Sequence, residues 1–242
     1  MNQSIPIFAH RGASAYAVEN SFKAFLKAKQ LGANGIELDV QCTEDGVLVV
    51  FHDLNLFRLT GVSKLITDCT EEELKKYPIG RPVLRRFSSQ RIPKLLEVVE
   101  WANTNRFPLN IELKESLETN KKLLKDLLYK LTLPKGSHFS SFHEELLKEV
   151  KMQRPDFETA ILVTKKFDWN NLSTYSHIDS VNAHKRYYKE QYLQQCEIAK
   201  KGIRFYSIDG MEPFLFDPHS SVIGWITDYP DRLVKIQKKL QK

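Results

Sequence analysis

Short apolar runs rich in Val, Ile and Phe recur along the chain, with amphipathic stretches between them. Eight of these runs read as buried strands: 5–9, 36–40, 109–113, 137–141, 159–163, 178–182, 203–207 and 222–226. Helical periodicity is clearest at 19–31, 93–106, 117–131, 143–153 and 188–201, while the connections 164–177 and 208–221 are short for full helices. Strand–helix alternation implies parallel pairing, because a parallel crossover needs about a dozen residues or more. Eight such strands in 242 residues fit a closed α/β barrel of the (β/α)8 kind better than an open sheet. An open doubly wound sheet would normally begin with a GxGxxG turn, and the sequence has none.

A ninth run, 47–51, breaks the alternation, since only Gln41 to Gly46 separates it from the second strand. So short a link forces an antiparallel return, and Asp45-Gly46 is a turn signal. A loop of Thr43 to Gly46 would pair Cys42 with Val47, Val40 with Val49 and Glu37 with His52, placing Glu37, Asp39 and His52 on one side. The irregular stretch at about 54–92 contains one clear helix start, the capping box Thr70 to Glu73, and four arginines (Arg81, Arg85, Arg86, Arg91). It reads as an insertion on the top of one barrel domain spanning 1–242, being small for an independent core.

Composition adds exclusions. Hydrophobic residues at 42% and charged residues at 27% are ordinary globular values and exclude disorder. No apolar run reaches about 18 residues, so no transmembrane segment is expected. The first residues lack the basic and apolar regions of a signal peptide. Three scattered cysteines without a CxxC pair point to reduced thiols and a cytoplasmic location. The net charge of +6 owes part of its excess to four lysines in 235–242, which read as a solvated helix face. Without a basic stripe and interleaved aromatics, nucleic acid is not an expected partner.

Candidate chemistry gathers at the strand ends, which open on one rim in a parallel barrel. His10-Arg11, Glu37 with Asp39, Glu112 with Lys114, Ser141, Asn182, Asp209 and Asp228 all lie there. Three carboxylates, Glu37, Asp39 and Glu112, would converge, and their repulsion in a desolvated mouth calls for a hard divalent cation, Mg2+ or Ca2+. Isolated surface acids are the plainer reading, but all three are flanked by apolar strand residues. His10 and His52 are the natural acid–base pair, suited to in-line displacement at phosphorus. Arg11 and Lys114 would hold phosphoryl oxygens, and Asn182 is a further candidate for substrate binding. His138, His143, His177, His184 and His219 read as core or turn histidines, His184 lying closest to the rim.

Several motifs carry a resemblance: His10-Arg11-Gly12-Ala13-Ser14, Glu19-Asn20-Ser21, Gly35-Ile36-Glu37-Leu38-Asp39-Val40-Gln41, Asp45-Gly46, Val50-Phe51-His52-Asp53, Asn110-Ile111-Glu112-Leu113-Lys114 and Thr227-Asp228-Tyr229-Pro230. Together they resemble the glycerophosphodiester phosphodiesterase family over nearly the full chain. The resemblance implies a TIM barrel with a small insertion after Phe51-His52-Asp53. It implies a divalent cation on Glu37, Asp39 and Glu112, acid and base roles for His10 and His52, and Arg11 and Lys114 near the phosphate. It also implies cleavage of glycerophosphodiesters to an alcohol and sn-glycerol 3-phosphate, with attack by a neighbouring glycerol hydroxyl as one route. One departure stands out: Phe205-Tyr206-Ser207-Ile208-Asp209 replaces the Trp-Thr-Val-Asn-like stretch of many relatives.

Three other functions compete. A lysophospholipase D would use the same chemistry on a mono-acylated substrate and would need an apolar trough. Phe57, Leu59, Val83, Leu84 and Phe87 could line one, or form the small core of the insertion, which is the simpler expectation. A catalytically silent barrel would not need both histidines and all three acids. A membrane-surface module rests only on the modest basic excess. The leaving alcohol and the oligomeric state are not legible.

Overall fold

The computed structural model describes residues 4–83 and 85–241. Its sheet comprises β1 (Ile7–Ala9), β2 (Gly35–Cys42), β3 (Leu48–Val50), β4 (Leu109–Leu113), β5 (His138–Ser141), β6 (Glu158–Leu162), β7 (Ser180–His184), β8 (Gly202–Ile208) and β9 (Val222–Thr227). All but β3 pair in parallel, and β1 bonds to both β2 and β9, closing an eight-stranded barrel. The (β/α)8 expectation therefore holds. Helices α1 (Phe22–Gln30), α2 (Phe57–Thr60), α3 (Glu71–Leu74), α4 (Leu95–Asn105), α5 (Lys121–Lys130), α6 (Glu144–Gln153), α7 (Glu190–Ile198) and α8 (Pro230–Leu240) complete the chain. Lys235, Lys238 and Lys239 of α8 are exposed, as a solvated face requires.

The helices bury their apolar stripes on the outer faces of the strands. Phe25 of α1, Val98 of α4, Leu124 of α5 and Val150 of α6 belong to one core with Ile36, Leu38, Ile111 and Phe139. Two connections carry only a 3-10 turn, Trp169–Thr174 between β6 and β7 and Pro213–Leu215 between β8 and β9. Aromatics cover the barrel there. Phe167 packs edge-on to Trp169, and Phe214 stacks on Tyr188 at 3.8 Å between ring centroids. Pairing of β7 starts two residues later than expected from 178–182. Ile178 N–H donates back to the Tyr175 carbonyl at 3.2 Å, and regular pairing with β6 begins at Ser180.

The hairpin register differs from the expected one by a single residue. Val40 faces Val50, Gln41 faces Val49 and Cys42 faces Leu48. Thr43 is the cause. Its N–H donates to the Val47 carbonyl at 3.0 Å, and its Oγ1 accepts from Val47 N–H at 2.8 Å. That closes a three-residue loop, Glu44–Gly46, ending on the left-handed Gly46 at φ 76°. Glu37 and His52 are consequently not cross-strand partners. His52 lies beyond the end of β3, where its carbonyl accepts from Gln41 Nε2 at 3.1 Å.

The insertion carries its own small core: Val49, Phe51, Leu56, Leu59, Ile66, Cys69, Leu74 and Ile79. Its Thr70–Glu73 capping box forms as the sequence signalled. Of the apolar residues proposed for that core, Leu59 joins it, whereas Phe57, Val83 and Phe87 are exposed and Leu84 lies outside the described residues. Phe87 instead borders an open cleft of about 930 Å³, shared with Tyr16, Glu19, Arg58 and Arg81.

Near the N-terminal ends of its strands the barrel interior is ionic. Arg204 donates to Glu158 Oε1 at 2.7 Å and to Ser180 Oγ at 2.8 Å, and Gly224 leaves room for the Arg204 stem. Burial alone would raise the Glu158 pKa, but the Arg204 guanidinium overrides it and holds the group at about 2. Burial, aided by Arg204, pushes His138 down to about 3. Stability is therefore lost in acid: the unfolded state gains by protonating His138 as pH falls from 6.5, and the Glu158 contribution fades as it falls from 4.5. Glu158→Gln should lower the melting temperature near neutral pH and flatten its fall below about pH 5, as thermal scans across pH would show. Gly12 has φ 80°, and an added Cβ would sit 2.7 Å from Ala24. Gly12→Ala should cost at least about 2 kcal/mol in urea unfolding.

Candidate active site

The mouth of the barrel is built around β2. Glu37 and Asp39 are two residues apart on that strand and so share a face. Asp39 is in register with Glu112 of β4, which brings the third acid alongside. One carboxylate oxygen from each of the three lies within 4.8 Å of the others. All three side chains are buried, and Glu37 Oε1 and Asp39 Oδ1 have no hydrogen-bond partner.

Cations surround the acids. Arg11 adopts φ 53°, a left-handed conformation that strains a residue with a side chain. Its backbone N–H donates to Glu37 Oε2 at 2.8 Å, while its Nε lies 3.2 Å from Asp39. Lys114 donates to Glu112 at 2.7 Å and stands 3.5 Å from Asp39. Asn20 Nδ2 donates to Asp39 at 2.8 Å. Burial would raise the Asp39 pKa, yet Arg11, His52 and Lys114 together bring it below the ordinary value. At Glu37 the charges of His10 and Arg11 are outweighed. Burial and the Asp39 charge push it up to about 8, and burial with the Asp39 charge also raises Glu112.

These donors fit a hard divalent cation. All are oxygens, and opposite ligands of a Ca2+ lie about 5 Å apart given bonds of about 2.3–2.6 Å. Glu37 Oε1 and Asp39 Oδ1 are buried without a hydrogen bond, and of the two only Asp39 Oδ1 has a side-chain cation near it, Lys114 Nζ at 3.5 Å, so the bare Glu37 oxygen is costly unless something positive faces it. No other group of three or more acids, histidines or cysteines among the described residues is so arranged.

Each candidate histidine carries a carboxylate of its own. His10 Nδ1 is 2.7 Å from Asp228, and His52 Nδ1 is 2.6 Å from Asp53. Ionised carboxylates only accept, so in both rings Nδ1 bears the proton and Nε2 is left free. Burial disfavours charged His10, but the Asp228 hydrogen bond and the Glu37 charge outweigh it and raise the pKa. Asp53 is tied further, through Arg58 at 2.5 Å, to Glu19, which also receives Arg11.

His10, Arg11, Glu37, His52, Glu112 and Asn182 line one cavity of about 220 Å³. Asn110, Ser140, Phe142, Leu162, Tyr206 and Ile226 complete its wall. Two residues expected at the rim turn away from it. Ser141 Oγ donates to the Leu113 carbonyl, the strand alternation giving Ser140 the inward place, and Asp209 binds Lys185 at 2.8 Å. Sequence reasoning assigned no role to Asp53, Asp228, Glu19, Arg58 or Tyr206. Asp53 adjoins His52 and Asp228 follows a strand, so position was the available signal for those two.

Comparison with known proteins identifies the family of the chain. The model of the glycerophosphoryl diester phosphodiesterase family matches residues 10–209. A glycerophosphodiester phosphodiesterase of Caldanaerobacter subterraneus subsp. tengcongensis is 32% identical over 96% of this chain and 98% of its own. One of Bacillus altitudinis is 31% identical over 97% and 99%. Among solved structures, a phosphodiesterase of Oleispira antarctica in complex with the product sn-glycerol-3-phosphate superposes with a TM-score of 0.84, at 26% identity and 96% coverage of each chain. A glycerophosphodiester phosphodiesterase of Thermotoga maritima gives 0.76, at 26% identity, 98% of this chain and 100% of that one. The protein is thus an enzyme of the phosphoric diester hydrolase class. It belongs to the glycerophosphoryl diester phosphodiesterase family.

If the acid cluster holds a cation, Mg2+ or Ca2+ should stabilise the fold, by about 2.7 kcal/mol at a free concentration 100-fold above Kd. Glu112→Gln should abolish that shift in thermal scans. Because Glu37 must lose a proton to ligate, affinity should rise with pH up to its value of about 8 and then level off, as titration calorimetry would show.

Proposed function

We propose that this enzyme hydrolyses glycerophosphodiesters, the deacylated phospholipids, to an alcohol and sn-glycerol 3-phosphate. In this reading a divalent cation, Mg2+ or Ca2+, is held by Glu37, Asp39 and Glu112, and His10 and His52 are the catalytic acid–base pair. One observation carries it: two imidazoles, each fixed by a separate carboxylate, share a cavity with Glu37 and Glu112, whose carboxylate oxygens lie within 4.8 Å of that of buried Asp39. The product named in the complex of the Oleispira antarctica enzyme supports the choice of substrate.

A bound cation would supply Lewis-acid neutralisation of the phosphoryl oxygens. The protein's own groups do the remaining work. With Nδ1–H committed to Asp228 or Asp53, each ring offers Nε2 to the cavity. One Nε2 takes the proton of the attacking oxygen, and the other gives a proton to the departing alkoxide, so the alcohol leaves neutral. Arg11, on the cavity wall, and Lys114, beside two of the acids, are assigned to the phosphoryl oxygens. Asn182 is assigned to substrate. The buried, unpaired Cys42, Cys69 and Cys196 favour a reducing cytoplasm. No described helix is long and apolar enough to cross a membrane. The insertion at 54–92 joins the barrel through Val49 and Phe51, which supports one domain rather than two.

A second reading, lysophospholipase D activity, draws on exposed Phe57, Val83 and Phe87, the last beside the open cleft. Comparing turnover of acylated and deacylated substrates decides between them. For the leading reading, His10→Ala and His52→Ala should each lower kcat by about 10²–10⁴-fold in a glycerol 3-phosphate release assay with added cation. Wild-type turnover in either variant would defeat the assignment.

A further inference from the structure

We propose that the insertion carries an adsorption surface for anionic membranes, built on Arg81, Val83, Arg86 and Phe87 and set beside the barrel mouth. The sequence supplies the charge. Between Glu73 and Glu97 lie seven lysines and arginines and no acid. The two bracketing acids are already engaged, Glu73 with Lys64 and Glu97 with Lys94, each at 3.4 Å. Among the described residues, Arg81, Arg85, Arg86 and Arg91 form no ion pair. Arg85 and Arg91 donate to main-chain carbonyls instead, and Arg81 and Arg86 stand exposed.

The same segment leaves apolar side chains in water. Val83 is 80% exposed and Phe87 76%. Phe57, 62% exposed, is tied to them through Arg85, whose guanidinium reaches the Phe57 carbonyl and packs against Gly61. On the long helices, exposed large apolar residues come one to a helix, as with Leu26 of α1 and Leu96 of α4. Scattered single residues are ordinary, whereas a group rimmed by polar residues marks a contact surface. Its place is at the mouth: Arg81 and Phe87 border the open cleft together with Tyr16, which follows β1, and with Arg58, which holds Asp53 beside His52.

A lipid surface answers both halves of this pattern. Arginines meet the headgroup phosphates while the apolar tips enter the acyl boundary, and firm anchoring takes two such signals together. A second copy of the chain would bring like charges face to face across a two-fold axis. Nucleic acid would want open aromatic faces on which bases stack. Arg86 lies over the Phe87 ring, 4.7 Å from its centroid, and Val83 has no π-face. Adsorption does not depend on which reaction the mouth performs, and its test reads no turnover.

The full chain is pelleted with vesicles of phosphatidylcholine alone and of phosphatidylcholine with about one-third phosphatidylglycerol, at about 0.05 M and 0.5 M salt. Wild type should partition onto the anionic vesicles at least about tenfold more strongly than onto the neutral ones, and the high salt should remove most of that advantage. Arg81→Gln with Arg86→Gln should weaken the partition by about fivefold per arginine. Val83→Ser with Phe87→Ser should weaken it at least about tenfold. Both double variants should melt with wild type, because the replaced side chains project into solvent. Lys238→Gln with Lys239→Gln, on the exposed face of α8, should leave partition unchanged. Equal binding to both vesicle types, or equal loss in the α8 variant, would overturn the proposal. So would vesicle binding indifferent to Val83 and Phe87 with equal affinity for a single-stranded oligonucleotide, which marks a general polyanion contact. Dimerisation in sedimentation velocity that the Val83→Ser, Phe87→Ser variant abolishes would assign the surface to a second copy and overturn it too.

Discussion

Mutual repulsion among Glu37, Asp39 and Glu112 is the constraint on which the mouth of this barrel depends. Strand alternation and the in-register pairing of β2 with β4 make their convergence unavoidable once the barrel closes. Burial removes the water that would screen it. The surroundings answer unevenly. Asp39 receives Arg11, Lys114 and Asn20, while Glu37 receives only the backbone N–H of Arg11 and keeps one oxygen bare. That asymmetry is what a site prepared for an external positive charge requires. It also explains why a strained left-handed arginine is retained at the end of the first strand.

The second requirement is orientation. Neither imidazole is left to choose its tautomer, because Asp228 and Asp53 each accept from Nδ1. The anchors come from unrelated parts of the chain, one after the last strand and one beyond the hairpin. Closure of the barrel through the β1–β9 pairing brings His10 to Asp228, so the His10–Asp228 pair exists only in the completed fold.

The fold, and the convergence of Glu37, Asp39 and Glu112, were legible because they depend on periodicities. Apolar runs at barrel spacing announced the eight strands, and a two-residue interval placed Glu37 and Asp39 on one face. The bent segments were less legible. The hairpin register turned on Thr43, whose hydroxyl and N–H both bind Val47, a local competition that hydrophobic pattern does not encode. His52 nonetheless reaches the cavity, because β3 ends at Val50 and the turn, not the ladder, aims the ring. Ser141 was misjudged for the opposite reason: a strand end was read without its alternation. Phe57, Val83 and Phe87 looked like core by composition, but burial is decided by three-dimensional packing, and eight other side chains fill that core.

Arg58 ties the rim together. It leaves the insertion, grips Asp53 through Nε, and binds Glu19 with both terminal nitrogens. Asp53 in turn holds the ring of His52. The orientation of that imidazole therefore depends on a guanidinium supplied by the insertion. The crown of the molecule is thus linked to an imidazole in the mouth by one unbroken run of charged contacts, Glu19 to Arg58 to Asp53 to His52.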